Sequence, residues 1–215
     1  MVTERVAAHL AFGVTDARPR AAGEMLKIAF PALLVLATSA SVGFHGILSI
    51  EIMPDSSGPN VRSATIRDAL PGDLGAMFDI RGLVDENRMS RGELAALGLT
   101  EETVGARLGS ALAGWVAEVD GAVVGYSMSD RPRGCVYAVF VLPAFQGRGL
   151  GSALLGRASA WLFESGLARI WLHTDPATRA YRFYLSRGWS DAGASQPSER
   201  RLELSVRTPL AATRL

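Results

Sequence analysis

The order of signals along this chain predicts a mixed α/β fold, one central sheet with helices packed on it. A strand is followed by two helices, then by three strands in succession, then by helix, strand, helix and strand. That order is neither the strict alternation of a doubly wound sheet nor an all-β pattern. Length agrees with it, since 215 residues suffice for one domain of ordinary size with a real core, plus an appendage.

Each element has its own warrant. Ser63 to Arg67 alternates small, branched and polar residues as a short strand does, and Pro71-Gly72-Asp73 supplies a turn and a helix N-cap. A helix from Leu74 to about Val84 is expected to follow. Thr100 with Glu101 and Glu102 in the first turn marks another start, with Val104, Leu108 and Leu112 along one face. Trp115 to Val119 and Ala122 to Met128 are rich in β-branched and aromatic residues, and Asp120-Gly121 between them is the dipeptide that a tight hairpin wants. Val136 to Leu142 is a further apolar strand, bounded by Gly134 and Pro143. Gly149 to Glu164 reads as a helix, Ala168 to His173 as a strand, Thr178 to Leu185 as a helix and Arg201 to Val206 as a closing strand.

Composition narrows the class of partner. The chain carries 22 Lys and Arg against 21 Asp and Glu, a formal net charge of +1, so bulk electrostatics favours neither nucleic acid nor a membrane surface. A small-molecule partner fits better. Cys135 is the single cysteine, which excludes an intramolecular disulfide framework, suits a reducing compartment, and reads most simply as a small core residue. No Cys/His cluster is present, and His9 and His45 lie far from His173, so no metal site is expected.

The first sixty residues read as an extension ahead of a domain spanning 61–215. Ile28 to Ile50 is a run of 23 residues without Asp, Glu, Lys or Arg, long enough to span a bilayer as a helix. Pro31, Thr38, Ser39, Ser41, Gly43, His45, Gly46 and Ser49 dilute it, and Arg18, Arg20 and Lys27 flank it on the N-terminal side, which would send the rest of the chain outward. Read from Met25, the same stretch imitates a secretory signal. Other readings are a soluble N-terminal helix and a natural start at Met53, where Met53 to Asn60 would form a polar leader.

The chemistry is concentrated farther on. Gln146-Gly147-Arg148-Gly149-Leu150-Gly151 lies between a strand and a helix, where glycines let the backbone turn sharply and aim several N–H groups at one point. The positive end of the helix, Arg148 and the Ser152 hydroxyl add to the attraction, so a pyrophosphate is the expected guest. A dinucleotide is the weaker guest, because Ser152 stands where Gly-x-Gly-x-x-Gly spacing needs its third glycine.

The string from Phe140 through Val141, Leu142, Pro143 and on to Leu155 resembles the acyl-CoA motif of the GNAT superfamily of N-acetyltransferases, with Gln146, Gly149 and Gly151 in its core. Ala180-Tyr181-Arg182-Phe183-Tyr184 running into Gly188-Trp189 is similar to the family's second signature. The resemblance covers Ser63 to about Arg207. It implies a single mixed, mostly antiparallel sheet splayed at two strands, with acetyl-CoA as acyl donor. Its pantetheine would pair with the backbone around Phe140, Val141 and Leu142, and its pyrophosphate would lie on Gln146, Gly147, Arg148, Gly149, Leu150, Gly151 and Ser152. The acceptor amine would enter from the opposite face.

Tyr184 matches the family tyrosine whose phenol donates a proton to the leaving thiolate. Some family members carry a glutamate on the strand before the cradle, and here Cys135 falls near that place. Glu86, beside Asp85 in the loop that often borders the acceptor pocket, is the candidate base, with a water relay as the other route. His173 and Asp175, two apart, would share one strand face only if their strand ran on through Thr174, against which Pro176 argues. The implied function is cytoplasmic N-acetylation of a small-molecule or peptide amine by direct attack. The alternative is a catalytically silent acyl-CoA-binding regulatory domain, and an apolar N-terminal anchor would instead make the protein membrane-associated. Acceptor identity and oligomeric state are not legible.

Overall fold

The computed structural model describes residues 48–50 and 64–206. Among the described residues eight strands form one sheet in the order β1-β2-β3-β4-β5-β6-β8-β7, and of their pairings only β5/β6 is parallel. The elements are β1 (Leu48–Ile50), β2 (Ala64–Asp68), α1 (Leu74–Leu83), α2 (Arg91–Ala96), α3 (Glu101–Gly105), β3 (Leu112–Val119), β4 (Ala122–Asp130), β5 (Cys135–Val141), α4 (Leu150–Glu164), β6 (Arg169–Thr174), α5 (Arg179–Ser186), β7 (Ser190–Gln196) and β8 (Glu199–Ser205). The fold is thus the mixed, mostly antiparallel sheet flanked by helices that the sequence predicts.

Hairpin β3/β4 turns at Asp120 and Gly121, whose φ values of 49° and 80° are the two positive angles that a tight primed turn requires. Thr100 caps α3 as expected, its hydroxyl accepting from the Thr103 N–H at 3.1 Å. The helix stops at Gly105, however, and Leu112 opens β3, so Val104, Leu108 and Leu112 do not lie along one helix. Asp73 also departs from expectation. Instead of capping α1 with its side chain, it takes two hydrogen bonds from Arg67, at 2.7 and 2.9 Å, and one from the Leu70 N–H at 2.7 Å.

Three elements escape the sequence reading. α2 is short, yet Ser90 and Glu93 form a capping box around its first turn, a spacing present in the sequence. β7 reads Ser-Asp-Ala-Gly-Ala-Ser-Gln, without β-branched or aromatic residues; it is a mostly exposed edge strand held by its ladder to β8. β1 belongs to the end of the apolar run and pairs antiparallel with β2, Leu48 opposite Ile66. The remainder of that run, and with it the membrane, signal, leader and soluble-helix readings, lies outside the described residues. Among the described residues no helix is long and apolar enough to cross a membrane.

The sheet is buried on both faces. On one, α4 lays Leu150, Leu154, Ala158 and Leu162 against Val136, Val141, Ile170 and Leu172, and the Ser127 and Ser129 hydroxyls donate to the carbonyls of Leu154 and Ala158. On the other, α1 and α3 bring Leu74, Met77, Ile80 and Val104 onto Val116, Tyr126, Met128 and Ala138. Burying the three leucines of α4 contributes roughly 4.5–9 kcal/mol before entropy is counted, enough to fix the helix that carries the glycine turn.

Candidate active site

β5 and β6 run parallel but share a single register pair, Cys135 with Trp171, secured by the Trp171 N–H donating to the Gly134 carbonyl at 3.1 Å. Just beyond that pair β5 bulges, because Met128 and Ser129 on β4 face Ala138 and Val136, leaving Tyr137 as the extra residue. A bulge bends and twists its strand, and here it turns β5 away from β6. The gap so opened is the floor of a cleft of about 430 Å³, within the size range of small-molecule sites.

Hydrogen bonding decides which backbone groups of β5 face the gap. The Leu142 N–H donates to the Val124 carbonyl at 2.9 Å, and the Leu142 carbonyl accepts from Phe145. Alternation along an antiparallel ladder then turns the polar groups of Phe140 toward β4 and those of Val139 and Val141 into the gap. The Gln146 amide covers one of these, its Nε2 donating to the Val141 carbonyl at 3.0 Å. The edge available to a ligand is therefore offset by one residue from Phe140 and Leu142.

At one end of the gap lies the glycine turn. Gly147 and Gly149 have φ of 76° and 82°, left-handed values that side chains resist, and a Cβ on either would meet no atom within 4 Å. Gly149 is the N-cap of α4, whose fifteen residues leave first-turn N–H groups and a positive helix end directed at the same place. Gln146, Gly147, Gly149, Gly151 and Ser152 line the cleft with Phe140 and Val141. The other residues expected there lie differently. Leu142 packs between the two cores, Leu150 is buried in the α4 core, and the Arg148 guanidinium sits over the Phe145 ring at 5.5 Å. An open backbone cradle at a helix N-terminus fits a pyrophosphate.

α5 starts at Thr178, whose hydroxyl caps it, and presents Tyr184 to the cleft. The ring is buried against Phe183 and Trp189, with centroids 5.4 and 6.1 Å away. Among the described residues its hydroxyl has no hydrogen-bond partner, and burial raises the phenol well above its ordinary value. Tyr184 therefore keeps its proton at neutral pH.

Glu86 reaches the cleft from the loop after α1. Its Oε1 accepts from the Arg179 N–H at 3.1 Å and faces the Arg179 Nε at 3.6 Å, while Arg179 Nη2 donates to Gln146 Oε1 at 2.9 Å. Arg179 thus ties the acidic loop, the tyrosine helix and the cradle together. Cys135 is 1 % exposed, does not line the cleft, and its thiol is pushed up to about 12 by burial; it supplies no base. β6 ends at Thr174, and Asp175 caps its own turn by accepting from the Ala177 N–H at 2.8 Å, so His173 and Asp175 form no dyad. His173 instead faces Glu199, with Nδ1 4.0 Å from Oε2. Glu199, a cleft residue on β8, has no local sequence signal and arrives through the pairing of β8 with β6. Among the described residues no cluster of metal-ligating side chains is found.

Known proteins match this architecture. The family model described as acetyltransferase (GNAT) family matches residues 86–189. A protein of Archaeoglobus fulgidus described as an uncharacterized N-acetyltransferase is 35% identical over 82 residues, covering 33% of this chain and 55% of that protein; the chain spans about half of this relative's length. The GNAT domain of S. lividans PAT superposes with a TM-score of 0.58 at 18% identity, over 74% of this chain and 97% of that one. PaiA N-acetyltransferase from Thermoplasma acidophilum, solved in complex with coenzyme A, gives 0.54 at 16% identity over 66% and 99%. At such identities the two structural likenesses speak to the fold. The segment that matches the acetyltransferase (GNAT) family, residues 86–189, is the one that holds the glycine turn, the splay and the tyrosine helix.

Proposed function

We propose that the protein transfers an acetyl group from acetyl-CoA to a primary amine of a small molecule or peptide, by direct attack and without a covalent enzyme intermediate. The observation that carries this reading is the parting of β5 from β6 beside the glycine turn. It leaves an unpaired strand edge for the amide groups of pantetheine and a helix N-terminus for the pyrophosphate, in one cleft. The coenzyme A held by the T. acidophilum relative supports the same donor.

In this reading the ammonium of the acceptor first loses a proton to the Glu86 carboxylate, directly or through a water. The neutral nitrogen then attacks the thioester carbonyl, the C–N bond forms, and the C–S bond breaks as the tetrahedral adduct collapses. Tyr184, protonated because it is buried, delivers its proton to the departing sulfur and is reprotonated from solvent, so the products are an amide and a free thiol.

Calorimetric titration of acetyl-CoA into the full chain, beside Gly149→Glu and Gly151→Glu, tests the donor. A Cβ at Gly151 would meet Phe183 only at ordinary contact distance, 3.7 Å, so this variant is expected to fold while its carboxylate repels the pyrophosphate. Binding that both changes abolish supports the proposal. A folded wild-type chain that binds no acetyl-CoA refutes it.

A further inference from the structure

On the side of α1, the cleft is lined by a buried charge that has no counter-ion among the described residues. Arg81, on the face where α1 packs, is 8 % exposed, and its guanidinium lies 4.3 Å from the Phe140 ring centre. Its Nη1 is buried with no hydrogen-bond partner, and among the described residues no carboxylate pairs with it. The acid whose charge it feels, Glu93, is engaged by the N–H and hydroxyl of Ser90, each at 2.8 Å. Desolvation depresses the guanidinium from its ordinary value, yet arginine does not give up its proton in a protein. A cation over one ring offsets only part of the cost of burying it unpaired.

The position of this charge is informative. Arg81 lines the main cleft, and also a second, smaller cavity of about 60 Å³ that shares Tyr137, Ala138 and Phe140 with the cleft and whose other walls include Met77, Phe78, Leu94 and Leu99. Tyr184, Asp85 and Glu199 line the main cleft too. One cavity therefore presents acids to an ammonium, a phenol to the reacting centre, and a lone planar cation beside apolar walls.

We propose that Arg81 receives a carboxylate of the acceptor, so that the substrates are amines that also carry a carboxylate, amino acids or acidic peptides, with an apolar portion toward the adjoining small cavity. This rests on the acetyl-transfer reading given above. A single guanidinium matches a single carboxylate in charge and in its forked geometry, and the incoming anion supplies the missing partner for Nη1.

The test is acetylation of matched pairs, each of the L-amino acids against its own α-amide, with free thiol release followed at fixed acetyl-CoA. The wild type is expected to prefer carboxylate acceptors by on the order of ten- to a hundredfold in kcat/KM. Arg81→Met is expected to erase that preference while leaving the affinity for acetyl-CoA within about twofold, and Arg81→Lys to keep part of it. Equal turnover of acids and amides by the wild type, with acetyl-CoA bound, overturns the role of Arg81 and leaves acetyl transfer standing. Failure of the folded wild type to bind acetyl-CoA overturns both. The wild-type comparison needs no variant, so a misfolded Arg81 substitution cannot hide the answer.

Discussion

Cys135 and Trp171 form the only register pair between the parallel strands β5 and β6. Every feature of the cleft depends on the strands parting there. Had the ladder continued, Val139 and Val141 would be bonded to β6, and no edge would remain for a ligand. The bulge at Tyr137 and the glycine turn after β5 place the separation where the chain can also begin α4, so the strand edge and the helix N-terminus open onto one cavity.

Tyr184→Phe separates proton donation from binding. We expect kcat to fall by on the order of a hundredfold or more, with the acetyl-CoA dissociation constant from calorimetry unchanged within about twofold. Because burial raises the phenol above its ordinary value of 10, the acid form persists at and somewhat above pH 10. The wild-type kcat/KM profile is accordingly expected to show no loss from this group up to pH 10. An unchanged kcat in the phenylalanine variant would remove the acid role.

Two cleft carboxylates compete for the part of base. Glu86 is tied to Arg179, and Glu199 sits beside His173. Glu86→Gln is expected to cost about a hundredfold in kcat/KM, whereas Glu199→Gln is expected to keep kcat/KM within about threefold. The reverse pattern, read from steady-state kinetics of the two variants, would transfer the role to Glu199.

Cys135 is expected to be chemically silent. A thiol pushed up to about 12 carries almost no thiolate at pH 8, and it is 1 % exposed. Mass spectrometry after iodoacetamide treatment should find it unmodified in the native chain and modified in denaturant. Cys135→Ala should keep kcat within about twofold. Rapid native alkylation would contradict its buried setting.

Asp73 provides a pH signature in stability. Its carboxyl is held below the usual range, first by the hydrogen bond from Arg67, against the opposing pull of desolvation. The folded state therefore binds its proton more weakly than the unfolded state does. The resulting stability is full above the unfolded value near 3.9 and is lost as pH falls through the lower folded value. Asp73→Asn is expected to cost about 1–3 kcal/mol at pH 7, and the difference in Tm from wild type should shrink as pH drops below 4. A difference that stays constant down to pH 2 would show that the pair with Arg67 does not act through charge.

Local chemistry alone determined much of this protein. Asp120-Gly121 fixes the central hairpin because both residues accept positive φ. Gly147 and Gly149 fix the turn into α4 because both adopt left-handed φ values that side chains resist. Thr178 and the spacing up to Trp189 mark the helix that bears Tyr184. Other features have no local cause. β7 has no strand propensity and exists because β8 pairs with it, and α3 ends at Gly105 because Leu112 is drawn into β3. Glu199 meets His173 because β8 returns beside β6. Arg81, which looks like any solvated arginine on an amphipathic helix, is buried beside Phe140 because α1 packs where β5 bends away. The sequence by itself determined the turns, the caps and the two motifs, which depend on residues a few positions apart. The tertiary structure alone decided the width of the gap, the partners of its acids and the unpaired cation that lines the cleft, because these depend on the register and packing of segments far apart in the chain.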